Sequence, residues 1–386
     1  MRLPLVPLVS LCLLLGACDS NPSDNAAQKG EASTPVSRDD NGADSMASRD
    51  SATSADAISD SEQRPVMQAQ VRLERLGFGP GVIDGKTGPA LTNAIEGFQE
   101  ARDLPVTGEL DDATRLALMA GKAILATRIV TIPEAWGDIT FMPVPDGAAQ
   151  QAKMEQLGYE TLAEKLAERF HTTPAVLAQL NPGGRPAGAD GASAAPSPAA
   201  SGADSAPVFK PGQQVRVPNI GADRIAADSV DNKDWLETLR SLGVGTDQPT
   251  VARILVDESE GWLKAFDEKD QLVAMFTVTT GSQNDPLPIG EWDVKGKAYN
   301  PPYAYDPKLL RGAPDSDDKQ QLPPGPNGPV GVVWIDLSKD HYGIHGTPAP
   351  ETIGSAQSNG CVRLTNWDAA RLAQMVSGST KVVFQK

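Results

Sequence analysis

Tyr342-Gly343-Ile344-His345-Gly346-Thr347 and, farther on, Ser358-Asn359-Gly360-Cys361-Val362-Arg363-Leu364 hold the chemistry of this chain. His345 closes an apolar run that reads as the end of a strand. The loop after it can turn back and bring Cys361 to the same place. A cysteine attacks as its thiolate, and a nearby histidine can take the proton. Gly360 lets the backbone come close to a substrate. Successive N–H groups there suit an oxyanion. Arg363 adds positive charge that favours a thiolate and suits a substrate carboxylate. His341 reads as a structural hydrogen-bonding residue.

The flanking sequence places this pair in an antiparallel β domain spanning 250–386. Val251 to Val256 is apolar and β-branched, and Glu258-Ser259-Glu260-Gly261 turns it. Trp262 to Phe266 returns, Asp267 to Asp270 turns again, and Gln271 to Thr280 alternates. Two consecutive hairpins of this kind predict antiparallel pairing. Asn300 to Pro329 reads as a Pro/Gly-rich surface excursion, Val330 to Leu337 as a strand, and Trp367 to Val376 as a helix capped by Asn366.

Upstream, residues 65–120 predict three short helices. Val66, Ala69, Leu73 and Leu76 recur at helical spacing, and Pro89 opens the second helix, where its missing N–H costs nothing. Val71-Arg72-Leu73, Leu76-Gly77, Ile83-Asp84-Gly85, Ala94-Ile95-Glu96-Gly97-Phe98-Gln99 and Val106-Thr107-Gly108 resemble the helical peptidoglycan-binding domain family. Residues 121–158 read as a connector. Over 159–220, Leu162-Ala163, Phe170, Leu177, Leu180-Asn181-Pro182, Pro211-Gly212 and Val215 to Pro218 look like a degenerate LysM module. A flexible Ala/Gly/Pro/Ser insert, 183–206, interrupts it. His171 reads as a surface or cap residue, and 221–249 as a linker.

His345-Gly346-Thr347 with Ser358-Asn359-Gly360-Cys361-Val362-Arg363 resembles the active-site motif of L,D-transpeptidases of the YkuD type. Val278-Thr279-Thr280-Gly281 and Pro288-Ile289-Gly290-Glu291-Trp292 match as well. The fold this implies is a multidomain α+β chain: a small three-helix wall-binding module, a LysM-like α/β segment and a mainly antiparallel β catalytic domain. The implied activity is a cysteine acyltransferase forming 3→3 cross-links in peptidoglycan through a thioester. An L,D-carboxypeptidase, an enzyme attaching or detaching a protein at the wall, and an inactive wall-binding lipoprotein are the alternatives. Cys361 would be the nucleophile and His345 the base, oriented through a carbonyl at Gly346. Gly360 and Cys361 N–H groups would form the oxyanion hole, with Ser358, Asn359 and Arg363 supporting substrate and loop. Asn359 stands where some members carry His. No cofactor or metal is implied. The partners implied are stem peptides and glycan.

Composition agrees with this reading. The chain has 386 residues, 34 basic and 50 acidic, a net charge of −16, which argues against nucleic-acid binding. Its 3 histidines, none in an H-x-H or H-E-x-x-H arrangement, argue against a zinc peptidase. Arg2 followed by the apolar run Leu3 to Leu15 reads as a secretory signal, too short to span a bilayer. Leu15-Gly16-Ala17-Cys18 resembles a bacterial lipobox. It implies cleavage of 1–17 and a lipid on Cys18, with 18–64 as a disordered Ser/Asp/Ala tether. The expected location is therefore the periplasmic face of a bacterial membrane, and Asp19 leans towards the inner one. Cys12 leaves with the signal, so Cys361 is left without a disulfide partner in the mature chain.

The lipobox reading predicts that Cys18→Ser gives soluble or unprocessed protein on membrane fractionation. A variant that is processed and sediments with membranes as the wild type does would end the anchor idea.

Overall fold

The computed structural model describes residues 58–189, 208–221, 225, 230–282, 284–310, 313–314, 316–358 and 360–386. The signal sequence, Cys18, most of the tether, most of the 183–206 insert and Asn359 therefore lie outside the described residues.

Three helices come first: α1 (Pro65–Arg75), α2 (Pro89–Glu100) and α3 (Asp112–Leu118), with a two-residue strand β1 (Phe78–Gly79) after α1. Pro opens α1 and α2, and the Asp111 carboxylate caps α3 by accepting from Thr114 N at 2.8 Å. The middle segment contains β2 (Thr127–Thr131), α4 (Ala148–Gln151), α5 (Leu162–Arg169), α6 (Pro174–Leu180) and β3 (Gln214–Pro218). Thr161 and Thr173 cap α5 and α6. Next comes α7 (Lys233–Leu242), capped by Asn232 and closed by Gly243 at φ +70°.

The remainder is sheet. It holds β4 (Arg253–Asp257), β5 (Trp262–Phe266), β6 (Leu272–Thr277), β7 (Gly290–Tyr299), β8 (Tyr303–Tyr305), β9 (Gln320–Leu322), β10 (Val333–Leu337), β11 (Gly343–His345) and β12 (Val362–Arg363). Then follow α8 (Asn366–Met375) and β13 (Lys381–Gln385). One nine-stranded sheet runs β1-β6-β5-β4-β13-β7-β10-β11-β12. Both predicted hairpins are there, as β4-β5 and β5-β6. Most neighbouring pairs are antiparallel; β1-β6, β4-β13 and β11-β12 are parallel. Trp367, Phe276, Phe384, Ile254 and Ile335 fill the space between the sheet and α7-α8.

Several expectations change. The 221–249 linker contains α7, whose Trp235, Leu239 and Leu242 are buried in the core of the C-terminal sheet. The 121–158 connector contains β2, which pairs antiparallel with β3 from Thr127↔Pro218 to Thr131↔Gln214 and closes a strand–helix–helix–strand unit. Order begins before residue 65. Arg216 is buried, and its Nη2 donates to Ile58 O at 2.8 Å, while Thr127 Oγ1 donates to Asp60. The start of the insert is likewise held, because Ala187 O accepts from Arg216. The helical module is no separate bead either. β1 extends the nine-stranded sheet, and Met275 and Trp262 of that sheet are buried with Phe78, Ala94 and Phe98.

His171 is fully buried, not at the surface. Its Nδ1 lies 2.8 Å from Glu74 Oε1, its Nε2 2.9 Å from Leu242 O, and its ring stacks on Trp367 at 4.8 Å. Arg371 completes the cluster, donating to Glu74 Oε1 at 3.0 Å and to Glu74 O at 2.8 Å. The cap of α8 is Thr365, which accepts from Asp368 N, so Asn366 is the first helical residue and its side chain is free for another task.

Removing one member of a buried ion cluster strands the others. Glu74→Ala should therefore cost about 3–5 kcal/mol in urea denaturation followed by tryptophan fluorescence. A cost below ~1 kcal/mol would mean that the cluster does not tie these parts together.

Candidate active site

The site is made by strand register. β10 and β11 form a tight hairpin, Trp334↔His345 and Asp336↔Gly343. β12 joins β11 in parallel, Ile344↔Val362 and His345↔Arg363, and on its other side Arg363 N and O bond Thr279 O and N. Ile344 and Val362 point into the core and are fully buried. Side chains alternate along a strand, so Gly343, His345, Cys361 and Arg363 share the opposite face. Cys361 is diagonal to His345 there. Strand spacing and rise place their Cα atoms about 8 Å apart, within reach of a thiol and an imidazole.

His345 is buried, stacked on Trp334 with ring centroids 5.4 Å apart. Its Nδ1 lies 2.7 Å from Gly346 O. A carbonyl only accepts, so Nδ1 carries the proton and Nε2 keeps its lone pair. Burial pulls the imidazole pKa down to about 4; Arg363 adds to this and the Gly346 carbonyl opposes it. His345 is therefore a neutral base at pH 7.

Cys361 is partly exposed, with Sγ 3.8 Å from His341 O. Burial pushes its thiol pKa up, while the Gly343 N–H and the Arg363 charge pull the other way. Gly360 sits at φ +94°, and a Cβ there would lie 2.7 Å from the Tyr342 ring, so only glycine fits. Ser358 Oγ donates to Cys361 O at 2.6 Å and accepts from Gly360 N at 3.1 Å. Ser358 therefore shapes the loop. The expectation for Gly360 changes: its N–H is turned back to Ser358 and does not face an oxyanion. Of the expected donor pair, that leaves the Cys361 N–H.

Arg363 Nε is buried without a hydrogen-bond partner. Its guanidinium feels both Cys361 and Tyr303. Tyr303 is the residue that sequence reasoning missed. It comes from β8 in the excursion, paired with β9 from Tyr303↔Leu322 to Tyr305↔Gln320. Burial raises its pKa, as does the Cys361 charge, against Arg363. Its only signal in the sequence is an aromatic pair, Tyr303 and Tyr305, inside a Pro-rich stretch. Among the described residues no group of three His, Cys, Asp or Glu side chains is arranged to hold a metal, and no helix is long and apolar enough to cross a membrane.

Residues 252–384 match the family model described as "L,D-transpeptidase catalytic domain", YkuD. The C-terminal part of this chain is thus similar to L,D-transpeptidase catalytic domains. Residues 62–118 match a second model, "Putative peptidoglycan binding domain". The two matches leave the middle segment between them, and its likeness to LysM rests on the residues quoted above. A Bacillus licheniformis protein named "Putative L,D-transpeptidase YkuD" is 34% identical over 130 residues, 34% of this chain and 63% of that one. Its Bacillus subtilis namesake is 49% identical over 61 residues, 16% of this chain and 37% of that one. The chain thus spans between 37% and 63% of the length of these curated relatives. Among solved structures, L,D-transpeptidase 3 from Mycobacterium tuberculosis aligns at 16% identity over 37% of this chain and 63% of that one, with a TM-score of 0.30.

The electrostatics of this site predict a thiol that reacts slowly at neutral pH. Alkylation of Cys361 by iodoacetamide should keep accelerating above pH ~9.5, by which point a free cysteine of pKa ~8.5 has levelled off. Arg363→Gln removes the charge that favours thiolate and should slow alkylation several-fold at pH 8. A plateau below pH 8, or an unchanged rate in Arg363→Gln, would contradict the reading.

Proposed function

We propose that the chain is a peptidoglycan L,D-transpeptidase that forms 3→3 cross-links through a thioester on Cys361. The observation that carries the reading is one face of β11 and β12 bearing a neutral imidazole with its tautomer fixed by Gly346 and, diagonal to it, a thiol beside Arg363.

The donor is a stem peptide whose third residue, diaminopimelate, is joined through its L-centre to a terminal D-Ala. His345 Nε2 takes the thiol proton as Sγ attacks that carbonyl carbon, so no free thiolate need accumulate. The new C–S bond pushes the carbonyl electrons onto oxygen, and the Cys361 N–H stabilises the oxyanion. Collapse breaks the C–N bond, and D-Ala leaves as the amine with the proton from His345. The side-chain amine of a second diaminopimelate then attacks the thioester and gives its proton to His345. Cys361 leaves as thiolate and recovers that proton. Arg363, with a buried Nε lacking a partner, suits a substrate carboxylate. Tyr303 brings the β8-β9 hairpin over the same ground.

The helical module supports a wall substrate. Between it, helix α6 with its cap Thr173, and the 350–355 loop lies a cleft of about 390 Å³, lined by Gln70, Asp84, Lys86, Gln179 and Glu351 among others. A polymer that cannot diffuse must be gripped beside the catalytic domain. An anchor at Cys18 on the periplasmic face would hold the enzyme near it.

Muropeptide analysis after expression of wild type and Cys361→Ala tests the reading. Wild type should add 3→3 dimers and Cys361→Ala none. Tripeptides without dimers would make it a carboxypeptidase, and loss or gain of wall-linked protein an attaching or detaching enzyme. His345→Ala should acylate with a carbapenem at least ~100-fold more slowly at pH 7 and partly recover as pH rises. An undiminished rate would remove His345 as the base.

A further inference from the structure

The imidazole of His345 is only as well placed as the Gly346 carbonyl that holds it. That peptide is packed against one buried side chain, Asn366. A Cβ added at Gly346 or at Gly331 would overlap Asn366 Oδ1. The amide oxygen therefore sits against both glycines, and it also accepts from Val332 N at 3.2 Å. Asn366 is spared from capping because Thr365 does that work.

The other end of the Asn366 amide points out of the catalytic domain. Its Nδ2 donates to Glu168 Oε1 at 2.7 Å and to Pro326 O at 3.1 Å. Glu168 belongs to α5 of the middle segment and is buried. Tyr159 hydrogen-bonds it, and Glu164 and Lys165 are its charged neighbours. The same segment grips the root of the excursion that bears Tyr303. Leu157 N donates to Pro324 O at 2.9 Å, Asn327 N to Leu157 O at 2.9 Å, and Asn327 Nδ2 to Glu164 Oε1 at 2.7 Å.

We propose that Asn366 is a positioning residue for His345, and that Glu168 of the middle segment holds Asn366 in its working orientation. The middle segment then serves catalysis as well as packing, through the chain Glu168, Asn366, Gly346, His345. This rests on the reading of Cys361 and His345 as nucleophile and base.

Only one orientation of the Asn366 amide satisfies both ends: oxygen towards Val332 N, nitrogen towards Glu168. Asn366→Asp keeps the first bond but sets a second carboxyl against Glu168, whose pKa burial already raises to about 7, so the pair shares a proton near neutral pH and becomes two facing acceptors as pH rises. Adding Glu168→Gln restores a bond with donor and acceptor exchanged, since the new amide nitrogen can donate to Asp. The readout is the rate of Cys361 acylation by a carbapenem, by intact mass, from pH 6 to 9. Asn366→Asp should be about tenfold or more slower than wild type at pH 8 to 9, where the pair has lost its proton, because a misplaced base loses rate steeply. The deficit should shrink towards pH 6, where the pair takes up a proton and the bond returns. The double variant should return to within about threefold of wild type. Purely structural damage would instead lower the amplitude at every pH and leave the rate of the folded fraction unchanged, which would overturn the proposal. A wild-type rate in Asn366→Asp, or a double variant as slow as the single, would overturn it too. If Asn366→Asp does not fold, the double variant and Glu168→Gln, which keeps an acceptor for Asn366, decide; both should acylate near the wild-type rate, and a slow rate in both overturns it. A wild type that is never acylated would overturn the cysteine reading beneath it, a result distinct from these.

Discussion

The Glu74 carboxylate is the group on which the arrangement of this chain turns. It is nearly fully buried, where a lone charge would be costly, and burial alone would favour its neutral form. Arg371 and His171 beside it hold its pKa below the ordinary value instead. The His171 ring lies between Glu74 Oε1 and Leu242 O and so bridges α1 to the end of α7. Burial and the Glu74 charge push neighbouring Asp368 up to about 8, so the cluster holds one carboxylate and one carboxylic acid. These partners come from α1, the α5-α6 corner, the end of α7 and α8. None of the four can move away without leaving a buried charge unpaired. That explains why modules that read as beads on a string share buried surfaces.

α8 passes this constraint to the site. Arg371 and Trp367 fix the helix from the Glu74 side, and its first residue, Asn366, lies against Gly331 and Gly346. The site is then completed by backbone pairing more than by side-chain contact. Val362 and Ile344 anchor β12 on β11 in the core, and Thr279 pairs it from the other side. Cys361 lies beyond the last ladder pair, at the mouth of a loop closed by Ser358. A thiol on a strand end, held by two neighbouring strands, has little freedom to swing away from its partner.

What could be read from the sequence divides along physical lines. The β4-β5-β6 hairpins alternate and carry polar turns, so Asp257 to Trp262 and Asp267 to Asp270 announce themselves. Pro89 and Asp111 mark helix starts by rules that act within one turn. Cys361 and His345 stand out because a lone thiol in a polar Gly-flanked loop makes a poor core residue. What was missed depends on distant partners. β1 is two residues, Phe78 and Gly79, inside a Gly/Pro breaker, and exists because β6 offers an unpaired edge. β2 hides among connector prolines until β3 arrives more than eighty residues later. α7 has an amphipathic face, Trp235, Leu239 and Leu242, but the sequence around it reads as linker. His171 looks solvated because its acid, Glu74, is 97 residues away.

A partly buried thiol with a raised pKa is at first sight a poor nucleophile, yet here the raised pKa fits the setting proposed for the chain. Cys361 has no partner for a disulfide among the described residues. A thiolate at rest in an oxidising compartment would climb the oxidation ladder or pair with another thiol. A thiol held neutral by burial, next to an imidazole held neutral by the same burial, resists both. The proton then moves only when an electrophilic carbonyl is in place to take the developing charge on sulfur, and Arg363 awaits an anion on the same face. On the function proposed above, reactivity is tied to substrate occupancy, not to the resting ionisation of the site. The burial expected to slow a small alkylating agent would then also protect the resting thiol.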